Sequence, residues 1–328
     1  MIVSEQIKRP MKRRVIIDCD VGVDDALAMI LAFRSPELEV AAVTGVTGNV
    51  PLDLVERNIR RVLSLIRPAN RPLIARGADR PLMGTAVHEF GFHGADGLGE
   101  VSPSFFAPGE WWQTFPGSAH ELITAAAREH PGELTLIAIG PLTNLALALR
   151  SDPDGFRQLH RVIVMGGAVR TKGNVTPHAE FNFFADPLAA QEVLASPVPL
   201  TLVPLDITRQ VRLTPRIMEE RVKPIGSVFS RFVLAVTGFD PRSGFFRRRW
   251  QVFTLHDPLA IGVAIDGRLV AAEMLGLSVE TRAGERYGQT LEIGKGRPGK
   301  TGHGPGVNVC LNVHGEQFLK LFLSSLEG

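Results

Sequence analysis

Four aspartates lie close together near the start of the chain: Asp18, Asp20, Asp24 and Asp25. They follow a β-branched apolar run that predicts a strand over residues 15–18, and they open the helical pattern that comes next. Helix capping accounts for one or two of these carboxylates, but not for all four. Crowded carboxylates repel one another unless a positive charge neutralises them. The cluster therefore predicts a divalent cation site, and oxygen ligands favour Ca²⁺ or Mg²⁺ over zinc.

Further polar segments lie near the ends of other predicted strands: 47–49, 140–144, 166–182 and 256–258. Each one alone has an ordinary structural explanation. Asparagine in a glycine-rich turn suits left-handed backbone geometry, and Asp257 before Pro258 fits a helix N-cap. His256 alone is more often a satisfied surface or core residue. Together, the repeated Asn, Glu and Asp at strand ends predict a surface that binds the hydroxyl groups of a polyol.

The fold class follows from short apolar runs that alternate with helical patterns. This alternation predicts an α/β fold: a single domain with a mainly parallel, Rossmann-like central sheet flanked by helices. Ligands of such sheets bind at the carboxyl ends of the strands, where the polar segments lie. The predicted strands cover 15–18, 40–46, 134–139, 162–165, 200–204, 269–279, 290–293 and 307–313. The predicted helices cover 24–33, 52–66, 142–149, 187–194 and 316–326, and one more opens at 256–258.

Two segments depart from this rhythm. Residues 78–118 are rich in glycine, proline and aromatic residues, which predicts a long surface loop of the kind that often forms a lid. Residues 225–255 have a helical and aromatic pattern. Residues 1–13 are basic and are expected to form a flexible tail, with Met1 or Met11 as the native start, whereas 14–328 form the domain.

Composition excludes some classes of partner. The 328 residues include 36 basic and 34 acidic side chains, giving a net charge of +2 and no overall field that would attract nucleic acid or a membrane. Two cysteines, Cys19 and Cys310, indicate a reducing compartment, and the apolar runs are too short for a signal peptide or a membrane span. We therefore expect a cytoplasmic protein. The basic run 247–249 is interpreted as an exposed turn or an oligomer contact rather than a substrate site.

The acidic cluster also carries a family resemblance. Residues 18–26 resemble the DxDPGxDDA motif of the inosine–uridine nucleoside hydrolase family, with Val21 in place of the proline. His93 begins a segment that resembles the family's HGxxGL loop. The match continues in the family's order and covers most of the chain, through 48–50, 140–144, 165–167, 173–174, 179–182, 186–190 and 256–258. The resemblance implies hydrolysis of ribonucleosides to ribose and free base, with Ca²⁺ as cofactor, by a homodimer or homotetramer.

The resemblance implies a role for each matching residue. Asp20 would bind calcium and act as the general base toward a calcium-bound water. Asp25, the backbone carbonyl of Ile139 and the carboxylate of Asp257 would complete the metal ligands. His256 would protonate or stabilise the leaving base. The substrate-binding residues would be Asp24, Asn49, His93, Met165, Asn174, Glu180, Phe181 and Asn182.

Elementary chemistry supports this arrangement. Cleavage of an N-glycosidic bond passes through an oxocarbenium-like state, as in glycoside hydrolysis. Calcium activates water less than zinc does, so a carboxylate base beside the metal helps. A histidine suits the departure of the base near neutral pH. His93 either lines the pocket or caps a loop.

Base specificity does not follow from the resemblance. Family members often close aromatic residues, commonly tyrosine, over the base, but the single tyrosine of this chain, Tyr287, lies elsewhere in the sequence. The region before His256 offers phenylalanines and a tryptophan instead, and these suit a pocket and core packing equally well. A purine, a pyrimidine and a modified nucleoside all remain open. These aromatic residues are Phe239, Phe245, Phe246, Trp250 and Phe253.

Two other functions compete with this interpretation. Asp18 and Asp20 after an apolar strand also resemble the nucleophile motif of haloacid-dehalogenase-type phosphatases, but Gly22 stands where that motif has Thr or Val. Such a phosphatase would bind Mg²⁺ and turn over p-nitrophenyl phosphate. The same fold could also bind ribose without turnover, since fold alone does not fix function. The presence of every matched catalytic position favours an enzyme.

Overall fold

The computed structural model describes residues 12–246, 252–295 and 306–328. Most of the predicted basic tail, the arginine run 247–249 and Trp250 lie outside the described residues. No helix in the described ranges is both long enough and apolar enough to cross a membrane.

Strands organise the molecule around one large sheet. In chain order they are β1 (Arg13–Cys19), β2 (Leu38–Gly45), β3 (Leu73–Arg76), β4 (Gln113–Ser118), β5 (Thr135–Ala138), β6 (Arg161–Met165), β7 (Leu200–Val203), β8 (Arg212–Leu213), β9 (Phe239–Asp240), β10 (Phe245–Phe246), β11 (Phe253–Thr254), β12 (Val270–Val279), β13 (Thr290–Lys295) and β14 (Val307–Val313). The sheet has ten strands in the order β13-β12-β14-β7-β6-β5-β1-β2-β3-β4, and β9–β10 and β8–β11 form two small pairs. The strands from β4 through β1 to β14 are parallel, and β12 is antiparallel to its neighbours.

Helices cover both faces of the sheet. They are α1 (Val23–Arg34), α2 (Leu52–Ile66), α3 (Phe90–His93), α4 (Ala119–Glu129), α5 (Thr143–Ser151), α6 (Pro153–Phe156), α7 (Phe181–Ala185), α8 (Pro187–Leu194), α9 (Leu205–Thr208), α10 (Pro215–Ile217), α11 (Val228–Val236), α12 (His256–Ile265) and α13 (Gly315–Ser325). One apolar core lies between the sheet and α1, α2, α11, α12 and α13. The other lies beneath α4, α5, α6 and α8. The predicted α/β class with a mainly parallel sheet is confirmed.

The chain reverses its direction across the sheet at β1. It runs outward from β1 to β2, β3 and β4, then returns to β5 on the other side of β1 and continues to β6 and β7. Backbone hydrogen bonds hold the connections at this point, from Val46 N to Cys19 O at 3.0 Å and from Ile139 N to Asp18 O at 2.8 Å. In open α/β sheets, ligands bind at the carboxyl ends of the strands at such a switch point.

Side-chain alternation along β1 determines the face of the sheet toward which Asp18 is directed. Val15, Ile17 and Cys19 join the core under α1, and Ile16 joins the core under α5. Successive residues of a strand point to opposite faces of the sheet, so Asp18 is directed toward α5. Asp20 lies beyond the end of the strand and is free of this alternation.

The predictions were wrong for two segments. The predicted loop 78–118 contains α3 and the edge strand β4, and β3 and α4 next to it were not predicted. β4 is mostly half-exposed or exposed and includes Pro116 and Gly117, so it shows no apolar run. In the segment 225–255, the helix ends at Val236 and short strand pairs follow. Aromatic residues suit strands as well as helices, so their pattern did not separate the two.

Candidate active site

A cavity of about 360 Å³ opens at the carboxyl ends of the strands around the switch point. All the predicted substrate-binding residues line it, together with three other predicted site residues, Ile139, His256 and Asp257. Asp20 and Asp25 are absent from the lining because both are completely buried. The fold thus brings together residues that are more than two hundred positions apart in the sequence.

Buried carboxylates lie next to this cavity. Oxygen atoms of Asp24, Asp25 and Asp257 lie within 4.8 Å of one another. Asp24 and Asp25 come from the first turn of α1, and Asp257 comes from the first turn of α12, which packs against α1. Asp20 joins them, because its backbone N–H donates to Oδ1 of Asp25 at 3.3 Å. One edge of the cavity therefore carries a concentrated negative charge.

Burial makes this charge costly. Desolvation raises the pKa of Asp20 and Asp257 well above the usual range, and it raises the pKa of Asp24 to about 7. The neighbouring carboxylates add to each of these shifts, and burial also raises the pKa of Asp25. A divalent cation among them would remove both penalties, because it favours the ionised form of every carboxylate around it.

The oxygen atoms present fit such a cation. Oδ2 of Asp20 accepts a hydrogen bond from Asn49 N at 2.6 Å, whereas its Oδ1 is buried and has no hydrogen-bond partner among the described residues. The carbonyl of Ile139 accepts one hydrogen bond from Asn182 at 3.0 Å, and a carbonyl oxygen has a second lone pair. Carboxylate and carbonyl oxygens are the ligands of hard cations such as Ca²⁺ and Mg²⁺.

Asp18 does not belong to this group. Its Oδ1 accepts hydrogen bonds from the hydroxyl of Thr44 at 2.5 Å and from Nδ2 of Asn144 at 2.7 Å. Asn144 also donates to the carbonyl of Gly45 at 3.0 Å, so it ties the ends of β1 and β2 to α5. The four carboxylates of the sequence cluster are thus divided by the strand, and Asp257 completes the group instead of Asp18.

The polar wall of the cavity is held rigid by the backbone. The carboxylate of Glu180 accepts hydrogen bonds from the N–H groups of Gly167 at 2.8 Å, Asn182 at 3.0 Å and Phe183 at 3.2 Å. Asn182 in turn donates to the carbonyl oxygen of Met165 at 3.1 Å. A carboxylate has about four lone-pair directions, so Glu180 retains capacity to accept a hydroxyl group.

Two histidines complete the lining. Nδ1 of His93 accepts a hydrogen bond from Val23 N at 2.9 Å, so this residue both lines the cavity and caps α1. Nδ1 of His256 lies 2.7 Å from the hydroxyl of Thr208, which leaves Nε2 for the cavity. Burial, assisted by the charge of Arg209, lowers the pKa of His256 to about 4. Its imidazole is therefore neutral at neutral pH.

The structure decides between the two roles left open for the aromatic residues before His256 that it describes. Phe239 and Phe246 pack against each other at 5.3 Å in the core, and Phe253 is completely buried. Phe245 is 68 % exposed. Tyr287, the single tyrosine, packs against another ring outside this cavity.

Three lining residues were missed: Glu89, Phe92 and Val175. Glu89 and Phe92 belong to the segment that was predicted to form a lid, so the signal for them was the glycine-rich aromatic composition around His93. Among the described residues, the phenylalanines that line the cavity are Phe92 and Phe181.

A potential cation site beside a cavity lined by carboxylate and amide groups suits an enzyme that hydrolyses a sugar derivative. The profile of the inosine-uridine preferring nucleoside hydrolase family matches residues 15–320, and the chain belongs to this family. It is a nucleoside hydrolase, a glycosidase that acts on N-glycosidic bonds. The family inferred from the motifs is thereby confirmed.

Individual relatives agree on the reaction and differ in the base. The pyrimidine-specific ribonucleoside hydrolase RihA of Salmonella arizonae is 35% identical over 321 residues, which are 95% of this chain and 98% of that protein. A plant nucleoside hydrolase, PpNRh1, superposes with a TM-score of 0.85 at 30% identity, covering 97% of this chain and 100% of the other. The purine-preferring ribonucleoside hydrolase of Gardnerella vaginalis superposes with a TM-score of 0.83 at 27% identity, covering 96% and 98%.

Asp257→Asn tests the electrostatic account. We expect it to raise the melting temperature in a chelator, because one of the mutually repelling carboxylates becomes neutral. We also expect it to weaken the stabilisation by added Ca²⁺ or Mg²⁺, which for a cation at a hundred times its Kd amounts to about 2.7 kcal/mol. Thermal unfolding with and without each cation measures both effects. Asp154→Asn, which changes an exposed ion pair with Arg157, is the control. A full cation-induced shift in Asp257→Asn would rule out this carboxylate as a ligand.

Proposed function

We propose that this chain hydrolyses ribonucleosides to ribose and free base, with a calcium ion held by Asp20, Asp25, the carbonyl of Ile139 and Asp257. The observation that carries the proposal is the buried Oδ1 of Asp20, which has no hydrogen-bond partner among the described residues. It belongs to a group of carboxylates that borders a cavity with hydroxyl-binding walls. A cation or a water molecule would satisfy such an oxygen.

Asp20 is the proposed general base. A bound calcium ion would supply positive charge that makes water more acidic and that attracts ribose hydroxyls. Asn49 N occupies Oδ2 of Asp20, so Oδ1 is the atom left to accept a proton. As the water oxygen bonds to C1′ of the ribose, its proton passes to Asp20, and the electron pair of the C1′–N bond leaves with the base.

The polar residues of the cavity wall would position the ribose. Asp24 and Glu180 accept hydrogen bonds from hydroxyl groups, and Asn49, Asn174 and Asn182 present amides toward the same cavity. The backbone contacts of Glu180 fix its carboxylate before substrate arrives. Such preorganised contacts hold the sugar while positive charge develops at C1′, and their binding energy lowers the barrier.

His256 is the proposed partner of the leaving base. Because its imidazole is half-buried and engaged by Thr208 at Nδ1, Nε2 is the atom available in the cavity. A proton on Nε2 would form a hydrogen bond to a ring nitrogen of the base as it accepts the electron pair. Phe92 and Phe181 stack without donating hydrogen bonds, so they contribute affinity without selecting one base.

The first experiment measures release of reducing sugar from inosine, adenosine, guanosine, uridine, cytidine and p-nitrophenyl riboside, with and without a calcium chelator. We expect release that the chelator abolishes and that added Ca²⁺ restores, and the panel ranks the bases. Release that persists in the chelator would contradict the metal part of the proposal. No release from any substrate by folded, calcium-supplied protein would instead favour an unusual N-riboside or a binding protein.

Asp20→Asn removes the proposed base and keeps the side-chain shape. We expect kcat to fall by about 10³-fold or more, because the variant loses general-base catalysis and a charged metal ligand. Steady-state kinetics at saturating Ca²⁺ measure this effect. Asp154→Asn serves as the matched control, since its carboxylate is exposed and far from the cavity. Wild-type rates in Asp20→Asn would remove Asp20 as the base.

His256→Ala separates departure of the base from the rest of the reaction. We expect about a 10²-fold loss of kcat on nucleosides with poor leaving groups and little loss on p-nitrophenyl riboside, whose leaving group needs no proton. His160→Ala, at an exposed position before β6, is the control. Equal losses on both kinds of substrate would contradict the leaving-group role.

A further inference from the structure

One loop of the cavity is tied to the rest of the molecule through a short helix. Residues 169–175, which we call the Asn174 loop, follow β6 and present Asn174 and Val175 to the cavity. Both Asn174 and Val175 are exposed, so little core packing fixes their place. The loop lies against the end of β7, where α9 begins.

Local hydrogen bonds shape the tip of this loop. The N–H groups of Asn174 and Val175 donate to the carbonyl of Ala179 at 3.1 and 3.3 Å. The backbone is packed so closely here that a Cβ on Gly173 would lie 2.1 Å from the same carbonyl oxygen. Oδ1 of Asn174 also accepts a hydrogen bond from Phe181 N at 3.0 Å, so the tip is joined to the start of α7.

Arg170 pairs with Glu273 of β12 and Glu292 of β13 at the start of the loop, and two side chains from α9 and its C-terminal end add further contacts. The carboxylate of Asp206 accepts hydrogen bonds from the N–H groups of Val169 at 3.0 Å and Arg170 at 2.7 Å. The guanidinium of Arg209 donates from Nη1 to the carbonyl of Lys172 at 2.6 Å. Arg209 Nη1 also donates to the hydroxyl of Thr171 at 3.3 Å, and Nη2 donates to the carbonyl of Gly173 at 2.7 Å. The start of the loop is thus held by a carboxylate and its middle by a cation.

Like Arg34 and Arg231, Arg209 directs its donors to carbonyl oxygens. Most arginines of the described chain that make side-chain contacts pair with carboxylates, but Arg209 forms no ion pair with any described carboxylate. Its donors go to two successive carbonyls and a hydroxyl. A planar fork reaches adjacent acceptors in one plane, which a lysine ammonium cannot do.

We propose that Arg209 is a positioning residue that holds the Asn174 loop at the cavity and thereby sets the affinity for ribonucleosides. The same helix also carries Thr208, whose hydroxyl contacts His256, so α9 connects the sugar-binding loop to the leaving-group residue. The kinetic part of this inference rests on the proposed function. The structural part, the placement of the loop, does not.

Arg209→Gln is the central variant. We expect KM for nucleosides to rise by about tenfold while kcat falls less than about threefold, because the loop loses its position and the metal and base remain in place. Arg209→Lys should lie between wild type and Arg209→Gln, since it keeps the charge and loses the fork. Arg216→Gln is the control: Arg216 is exposed, pairs with Glu220, and should leave both constants unchanged.

A double-mutant cycle distinguishes positioning from a general structural effect. If Arg209 acts through the Asn174 loop, the losses of Arg209→Gln and Asn174→Ala will not add in the double variant, because each removes the same contact with substrate. Losses in KM that add would overturn the proposal. A fall in kcat with no change in KM would overturn it as well.

Hydrogen exchange of the intact protein, followed by mass spectrometry, supplies a readout without activity. We expect Arg209→Gln to exchange faster at 169–175 than wild type, with α1 and α12 unchanged. Unchanged exchange in the loop would overturn the placement itself. If wild type shows no turnover on the nucleoside panel, the proposed function fails while the exchange result still decides the placement, so the two failures are distinguishable.

Discussion

The mutual repulsion of buried carboxylates is the constraint on which the rest of this structure depends. Asp20, Asp24, Asp25 and Asp257 are all buried beside one cavity. Burial opposes the ionisation of all four, and neighbouring carboxylates add to this effect at Asp20, Asp24 and Asp257. Replacing them by apolar residues would relieve the repulsion, so their presence is explained by what they bind. A hard divalent cation would remove the electrostatic penalty and bring positive charge to this edge of the cavity.

The sheet solves the problem of bringing these groups together. α1 and α12 carry three of the carboxylates in their first turns, and these helices pack against each other on one face of the sheet. The helix N-termini also favour negative charge, which offsets part of the repulsion. Asp20 follows the end of β1, Ile139 follows the end of β5, and Met165 is the last residue of β6. Asn144, in α5 on the opposite face of the sheet, connects the ends of β1 and β2 by hydrogen bonds and does not line the cavity.

The cavity lining combines buried residues fixed by backbone hydrogen bonds with residues on an exposed loop. Glu180 and Asn182 are buried and fixed by backbone hydrogen bonds, whereas Asn174 lies on an exposed loop to which Asp206 and Arg209 contribute side-chain hydrogen bonds. Among the described residues, Phe92 and Phe181 supply phenyl rings to the cavity lining, and phenyl rings do not donate hydrogen bonds. This division agrees with a family whose relatives share one reaction on ribose and differ in the base that their names specify.

The sequence by itself determined the α/β class, eight of the ten strands of the large sheet, six of the helices and most residues around the cavity. Strong local signals carried these predictions: continuous apolar runs, helical periodicity and motifs whose order matches a family. α2, α8 and β14 have the predicted bounds because their patterns are long and regular. Edge elements such as β4 escaped prediction because half-exposed strands carry no continuous apolar run.

Only the tertiary structure decided how neighbouring residues divide their roles. Asp18 and Asp20 are two positions apart, yet one bonds Thr44 and Asn144 and the other joins the carboxylates at the cavity. The phenylalanines before His256 could pack in the core or face the substrate, and those that the structure describes pack in the core or lie exposed. Glu89, Phe92 and Arg209 acquire their positions from contacts between distant segments. Residue type and spacing cannot specify such contacts, because they depend on how the layers pack.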